Sequence, residues 1–264
     1  MNIVVCIKQV PETNEIGWNQ ETGTLNRTGI QGILNPNDKN ALEAALQLKE
    51  SHGGIVTAIS MGPPQADEIL REAIGMGVDK GVLLSDKQFA GADTWSTAYT
   101  LALALKKIGG FDLILCGKET ADGMTAHVGP QVAEFLDLPQ LTCAMEIEIR
   151  IKNNTVRIKQ KLEHGFRVLE TSFPTVITVE REINQPRIPP MDSIMEAYRE
   201  KEVVVWGMED LGGERECFGL KGSPTQSRKV YIKKVTKGKV QVLEGEADDV
   251  AKKLVEILKQ KNIV

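Results

Sequence analysis

Strand-like and helix-like segments alternate through the first 140 residues of this chain, and that alternation narrows the fold to one class. Short apolar runs, typical of strands buried on both faces, occur at residues 3–7, 55–61, 81–85 and 111–116. Helical spacing of apolar residues follows each run, and the last helix pattern begins near Thr125 or Ala126. This repetition predicts an α/β fold, with a parallel sheet, right-handed crossovers and helices on both faces.

The pattern changes beyond residue 140, where strand-like runs follow one another with little helix between them. An antiparallel extension is predicted from the runs at 146–151, 155–162, 167–172 and 175–179. A proline-rich stretch, a glycine-rich charged region and an amphipathic helix pattern complete the chain. We therefore expect an α/β domain over 1–206, with the extension at about 141–180 and a loop region at about 184–200, and a C-terminal arm over 207–264.

Composition and charge exclude several classes of protein. The chain has 264 residues, 32 basic and 36 acidic side chains and a formal net charge of −4, so nothing favours nucleic-acid binding. No apolar stretch approaches the roughly 20 residues that span a bilayer, and the N-terminal run is too short for a signal peptide. The cysteines lack metal or disulfide spacing, so we expect no metal site and reduced thiols in a cytoplasmic protein, at Cys6, Cys116, Cys143 and Cys217.

Parallel sheets bind ligands beyond the carboxyl ends of their strands, and the most informative such segment runs from Gly117 to Gly129. Its glycines allow close backbone approach, and the unpaired N–H groups at the start of the following helix form an anion site suited to a diphosphate. Thr125 can add a hydroxyl, whereas Asp122 suits a ribose, a ring or a helix cap. The alternative is a glycine-rich turn with an ordinary cap.

Two further segments lie at the same predicted edge. Lys8 follows the first strand and either faces a phosphate or is a solvated strand end. The small turn after the second strand, at Met61 and Gly62, lets an adenine approach the backbone. His127 is more typical of a cap or surface residue than of a ligand contact, and no triad or nucleophile pattern is present. The residues thus predict a binding protein without an obvious catalytic residue.

An ordered set of short motifs resembles the β subunit of electron-transfer flavoproteins. The set comprises Lys8-Gln9-Val10-Pro11, Asn35-Pro36-Asn37-Asp38, Gly62-Pro63, Met76-Gly77-Val78-Asp79, the segment 117–129 and Asn184-Gln185-Pro186-Arg187. No single motif is decisive, but the order is specific, and the resemblance runs over nearly the whole chain.

The resemblance implies an adenine-nucleotide α-hydrolase-like fold and a redox carrier that works with an α subunit. In conventional members of that family the β subunit holds AMP, whereas in electron-bifurcating members the same site holds FAD and receives a hydride from NADH. Bifurcation sends one electron to a higher-potential acceptor, such as a quinone oxidoreductase or an acyl-CoA dehydrogenase, and the other to ferredoxin or a ferredoxin-like protein. Any enzymatic activity would then belong to the complex, and any membrane association would be peripheral, through partners.

The Asp122-Gly123-Met124-Thr125-Ala126 segment resembles the bifurcating form, and its small residues leave room for a dinucleotide, so FAD is favoured over AMP. By resemblance, the adenine and ribose side of the site would comprise Cys6, Ile7, Lys8, Met61 and Gly62, with Asn37 and Asp38 nearby. The diphosphate and flavin side would comprise Gly117, Asp122, Gly123, Thr125, Ala126 and Val128.

Residues 184–195 resemble the recognition loop that anchors partner dehydrogenases through an apolar side chain. Met191 occupies the anchor position, with Ile194 and Met195 close by, and core packing after a proline turn is the alternative for Met191. The C-terminal arm would embrace the α subunit. The family's strand signature is not matched at Gln160, His164 and Arg167, which bears on partner choice and subunit docking.

Three functions therefore remain open at this stage. The first is an FAD-binding carrier subunit in a bifurcating assembly, and the second is a conventional carrier subunit that holds structural AMP. The third is a stand-alone adenine-nucleotide-binding regulator similar to a universal stress protein. The strand-rich segment after residue 140 and the C-terminal arm argue against the third, because both suit the embrace of a partner.

Overall fold

The structure is a computed structural model that describes residues 1–12, 32–225 and 240–263, together with the backbone of 17–19 and 24–26. These residues fall into two compact units, Met1–Ser227 and Arg228–Val264. The strands are β1 (Asn2–Cys6), β2 (Gln9–Pro11), β3 (Gly17–Asn19), β4 (Thr24–Asn26), β5 (Gly32–Leu34), β6 (Ile55–Met61), β7 (Lys80–Leu84), β8 (Leu113–Gly117), β9 (Gln140–Arg150), β10 (Thr155–Lys161), β11 (Phe166–Ser172), β12 (Thr175–Val179) and β13 (Val203–Trp206). The α-helices are α1 (Pro36–His52), α2 (Asp67–Met76), α3 (Thr94–Ile108), α4 (Val128–Leu136), α5 (Met191–Arg199), α6 (Met208–Leu211), α7 (Gly219–Gly222) and α8 (Ala247–Gln260).

One large sheet has the strand order β11-β10-β9-β12-β8-β1-β6-β7-β13. Neighbouring strands pair in parallel through β9, β12, β8, β1, β6, β7 and β13. At the other end of the sheet, β10 pairs antiparallel with both β9 and β11. The predicted parallel sheet with an antiparallel extension is thus confirmed. The prediction that residues 175–179 belong to the extension is wrong, because this strand is buried along its whole length and inserts in parallel between β8 and β9.

Helices cover both faces of the sheet. Along β1, Ile3 and Val5 enter a core with α1 and α2, whereas Val4 and Cys6 enter a second core with α3 and α4. This is the alternation that a strand with a two-residue period requires. Both faces of the central strands are therefore excluded from solvent.

The order of connections creates a switch point between β1 and β8. The chain passes from β1 through α1 to β6 and through α2 to β7, which lie on one side of β1. It then passes through α3 to β8 on the other side. The carboxyl ends of β1 and β8 are side by side, with Cys6 in register with Cys116. Ligands of open α/β sheets bind at such a position.

The region after residue 206 divides between the two units. In the first unit, α6, α7 and the residues around them pack beside α3, where the ring of Phe218 lies 5.3 Å from that of Tyr99. In the second unit, α8 is the amphipathic helix whose pattern was predicted at the end of the chain. The assignment of 207–264 as an arm that embraces a partner stays a prediction. None of the helices in the described ranges is both long and apolar enough to cross a membrane.

Candidate nucleotide-binding site

The switch point is organised around the carboxylate of Asp38, in the first turn of α1. One oxygen accepts a hydrogen bond from the backbone N–H of Lys8 at 2.9 Å, and the other accepts one from the backbone N–H of Gly117 at 3.1 Å. Asp38 is only 4% exposed. It therefore joins the ends of β1 and β8 to the start of α1. This junction lies at the base of residues 117–129, which are here called the binding loop.

The buried groups at this point are protonated more readily than they would be in water. Burial raises the pKa of Asp38 to about 7, although the side chain of Asn35, the two backbone N–H groups and the ammonium group of Lys8 act in the opposite direction. Burial also raises the pKa of Cys6 to about 12 and that of Cys116 well above its usual range. Both thiols therefore stay protonated at neutral pH, as expected of core cysteines.

Two asparagines before and within the first turn of α1 hold the segment after β8. The amide nitrogens of Asn35 and Asn37 donate to the carbonyl oxygen of Glu119 at 3.0 and 2.9 Å, and the amide oxygen of Asn35 accepts from the N–H of Ala121 at 3.1 Å. Gly117 makes this approach possible, because a Cβ there would lie 2.5 Å from a carboxylate oxygen of Asp38. Asn37 was predicted to lie near the site. Asn35 was noted only as part of the motif Asn35-Pro36-Asn37-Asp38 and was not assigned to the site.

The second half of the binding loop has a different geometry from the one predicted. Met124 and Ala126 have positive φ angles of 46° and 54°, which an α-helix cannot contain, so α4 begins at Val128 rather than near residue 125. Within the described residues, the N–H groups of Thr125, Ala126, Val128 and Gly129 donate no hydrogen bond. A row of backbone donors is thus available at the start of α4 for an anion.

Gly129 brings this helix start to the sheet. A Cβ at Gly129 would lie 2.6 Å from the methyl carbon of Thr178 and 3.1 Å from the sulfur of Cys116. Thr178 and Cys116 belong to β12 and β8, so α4 begins directly against the carboxyl edge of both strands. At Gly117 and Gly129 the backbone thus lies close to neighbouring protein atoms, and close approach of a ligand to the glycines of this segment stays a prediction.

Lys8 and Asp122 form an ion pair across the site. The ammonium nitrogen of Lys8 lies 2.8 Å from each carboxylate oxygen of Asp122, and the side chains are 40% and 8% exposed, respectively. Lys8 is therefore not a simply solvated strand end. Asp122 does not cap α4, because the N-cap position is His127, which makes no side-chain capping bond. The pair places a cation at the mouth of the site and fixes the first half of the loop.

The remaining predicted residues adjoin this centre along the edge of the sheet. The N–H of Ile7 donates to the carbonyl of Ile59, so Met61 and Gly62 lie at the same edge as Lys8. The side chain of Ile7 is buried in the core, and only its backbone borders the site. Among the described residues, no cluster of His, Cys, Asp and Glu could hold a metal ion. The donor set, which consists of backbone N–H groups and one ammonium group, suits a diphosphate.

The three residues predicted to contact a partner differ in how exposed their side chains are. Met191 is 71% exposed and Met195 is 40% exposed, so the core-packing alternative for Met191 is wrong. Ile194 instead packs toward α2, with its side chain 3.3 Å from the Cβ position of Gly75. Ile188, which was not singled out from the sequence, is 91% exposed. An exposed apolar surface, here called the partner-loop surface, is thus formed by Ile188, Met191 and Met195.

The departures from the family signature lie on the antiparallel strands β10 and β11 and in the turn between them. Gln160 is buried and donates to the carbonyl and hydroxyl oxygens of Thr142 at 2.8 and 2.9 Å, and its own carbonyl accepts from Arg167. These contacts place Gln160 and Arg167 in one local hydrogen-bonded group, whereas His164 is exposed in the turn between β10 and β11. They leave partner choice and docking as predictions.

Comparison with known proteins gives concordant matches over the whole chain. A family model described as the electron transfer flavoprotein domain matches residues 22–211. The chain is 43% identical over 264 residues to an electron transfer flavoprotein subunit beta of Clostridium acetobutylicum, with both chains covered completely. It is 43% identical over 265 residues to the caffeyl-CoA reductase-Etf complex subunit CarD of Acetobacterium woodii, again with full coverage of both. It is also 40% identical over 272 residues to the acryloyl-CoA reductase electron transfer subunit gamma of Anaerotignum propionicum, with full coverage.

Proposed function

This chain belongs to the family of electron transfer flavoprotein β subunits, and from that premise we propose that it binds FAD at the β1–β8 switch point. Proteins of this family pair with an α subunit and act in electron transfer. We assign the chain to a heterodimer that takes electrons from NADH in the cytoplasm. The proposed acceptors are a ferredoxin-like protein and a higher-potential partner, either a quinone oxidoreductase or an acyl-CoA dehydrogenase.

One observation carries the proposal. The backbone donors of Thr125, Ala126, Val128 and Gly129 lie at the start of α4, and α4 lies against the carboxyl ends of β8 and β12. Lys8 adds a cation at the neighbouring strand end. A diphosphate next to these groups would receive charge-assisted hydrogen bonds, which are about twice as strong as neutral ones. The turn at Met61 and Gly62 supports an adenine on the opposite side of Lys8.

The preference for FAD over AMP rests on the outer half of the loop. Gly123, Met124 and Thr125 are exposed, and Met124 is 69% exposed. Small side chains on either side of Met124 leave space beyond the diphosphate for the second half of a dinucleotide. One full-length relative, a caffeyl-CoA reductase-Etf complex subunit, supports a role in a multi-subunit redox assembly.

The protein's own residues position a cofactor rather than react with it. FAD, when bound, supplies the hydride and single-electron chemistry. Asp38, Asn35 and Asn37 fix the backbone on which the cofactor would rest, and Lys8 and the α4 amides would neutralise its phosphates.

Counting nucleotides in the purified heterodimer tests the proposal. The chain is co-expressed with its α subunit, the complex is isolated and denatured, and the released FAD and AMP are quantified. Two FAD per heterodimer support the proposal, and one FAD with one AMP identifies a conventional carrier instead. Failure to associate with the α subunit, or the absence of any adenine nucleotide bound to this chain, would sink it. Reduction of the two-FAD complex by NADH then tests the proposed donor.

A further inference from the structure

The binding loop and the segment that leads to the partner-loop surface follow neighbouring strands of the sheet. The binding loop follows β8, and the segment leading to the partner-loop surface follows β12, its neighbour. The N–H of Lys118 donates to the carbonyl of Val179 at 2.9 Å. The ammonium nitrogen of Lys118 lies 3.2 Å from the carboxylate of Glu180, whose side chain is 10% exposed, and this hydrogen bond raises the pKa of Lys118. The two segments are thus joined at their first residues.

Helix α1 holds the second segment as well as the first. One turn after Asn37, the amide nitrogen of Asn40 donates to the carbonyl oxygens of Arg181 and Asn184 at 3.0 and 2.9 Å. The amide nitrogen of Asn184 returns a bond to the carbonyl of Asn40 at 3.0 Å. Asn40 is 3% exposed, so these bonds are shielded from water. Successive turns of one helix therefore bind both segments.

The next turn of α1 completes the attachment through Arg187. The guanidinium group of Arg187 donates to both oxygens of Glu43 at 2.8 and 3.0 Å, and to Glu50 at 2.6 Å. Its backbone N–H also donates to Glu43 at 3.1 Å, and the side chain of Glu43 is 5% exposed. A buried two-pronged pair of this kind fixes orientation as well as position. Ile188, the most exposed member of the partner-loop surface, directly follows this anchor.

We propose that nucleotide binding and the conformation of the partner-loop surface are energetically coupled through α1 and the Lys118–Glu180 pair. This rests on the proposed nucleotide site. A nucleotide that immobilises the binding loop also immobilises Asn37, Asp38 and Lys118, and these belong to the same hydrogen-bonded unit as Asn40, Glu43 and Arg187. By reciprocity, a partner that holds the surface in place strengthens nucleotide binding by the same factor.

Amide hydrogen exchange of the αβ heterodimer, with and without added nucleotide, tests the coupling. Adding FAD, or AMP in a second titration, slows exchange in residues 117–129 and, by about fivefold or more, in residues 181–188. In Arg187→Gln and Glu180→Gln variants, the protection of 117–129 persists and that of 181–188 is reduced. The matched control is Lys39→Gln, which removes a cation of α1 that pairs with Glu72 on the surface and touches neither segment.

The outcomes separate the coupling from the proposed function. If neither FAD nor AMP protects residues 117–129, the nucleotide site itself is wrong and the coupling falls with it. If residues 117–129 are protected while 181–188 exchange at an unchanged rate, the site stands and the coupling is wrong. Should Arg187→Gln fail to fold, Glu180→Gln and the wild-type comparison still test the coupling. Equal protection of 181–188 in wild type and both variants would overturn the proposed route.

Discussion

The carboxylate of Asp38 accepts a hydrogen bond from the backbone N–H of Gly117 at 3.1 Å, and this contact joins the first turn of α1 to the end of β8. Its other oxygen accepts from the N–H of Lys8, so one side chain ties three elements of the site together. Because Asp38 is buried, the strength of this junction depends on its protonation state. A proton on one oxygen sacrifices an acceptor that faces an N–H group, but it also removes the larger cost of burying a charge.

Stability should therefore vary with pH through Asp38. Its pKa of about 7 in the folded protein lies above its ordinary value of 3.8, so the folded state holds an extra proton between these values. The stabilising contribution of that proton is fully present below about pH 4 and is lost as pH rises through about 7. We expect the free energy of unfolding of the wild type, relative to Asp38→Asn, to fall between pH 5 and pH 8. Urea unfolding of both proteins measures this, and a difference that does not change with pH would contradict it.

Close packing of α4 against the sheet gives a second prediction. In Gly129→Ala the new methyl group meets the methyl carbon of Thr178, which lies 2.6 Å from the Cβ position, so we expect a loss of about 1–3 kcal/mol of stability. Thr178→Ser removes that methyl carbon but keeps the hydroxyl oxygen that accepts from the N–H of Cys143 at 3.1 Å. The double variant should regain much of the loss in urea unfolding, with Thr178→Ser alone as the control. A double variant no more stable than Gly129→Ala would show that the contact is not the cause.

Parts of this site could be predicted from the sequence and parts could not. Lys8 and Gly117 directly follow buried strands, and strand ends of a parallel sheet meet at one edge, so their proximity followed from the pattern. The clamp formed by Asn35 on Glu119 and Ala121 joins residues more than eighty positions apart, and no local periodicity encodes such a contact.

Two errors arise where the local sequence pattern does not determine the structure. Apolar spacing continues through the end of the binding loop, but the positive φ angles of Met124 and Ala126 delay the start of α4, and spacing carries no information on φ. The strand Thr175–Val179 follows a hairpin in sequence and was grouped with it, whereas its complete burial reflects a return to the centre of the sheet. Both decisions are made by tertiary packing rather than by local pattern.

The partner-loop surface gives a prediction that requires no partner. Met191 is 71% exposed, so Met191→Ala should change the free energy of unfolding by no more than about 0.5 kcal/mol. Ile194 packs toward Gly75 of α2, so Ile194→Ala should lower it by about 1–2 kcal/mol. Urea unfolding of the two single variants makes the comparison. Equal losses would mean that Met191 is a packing residue and would remove the reason for treating it as an anchor.

The last prediction concerns the cation at the mouth of the site. Lys8→Gln removes the ammonium group that lies 2.8 Å from Asp122 and, in the proposed function, next to a phosphate. We expect FAD and AMP to bind about tenfold more weakly, which corresponds to about 1.4 kcal/mol, because each ligand carries a phosphate beside its adenosine. Added salt should weaken binding to the wild type more than to the variant, since screening acts on the charge that Lys8 provides.

Fluorescence or calorimetric titration at two salt concentrations measures both effects, and Lys39→Gln controls for the loss of one positive charge elsewhere on the surface. An unchanged affinity for both ligands would mean that Lys8 serves only to hold Asp122, and the amides of α4 would then have to bind the phosphates without help from a cation.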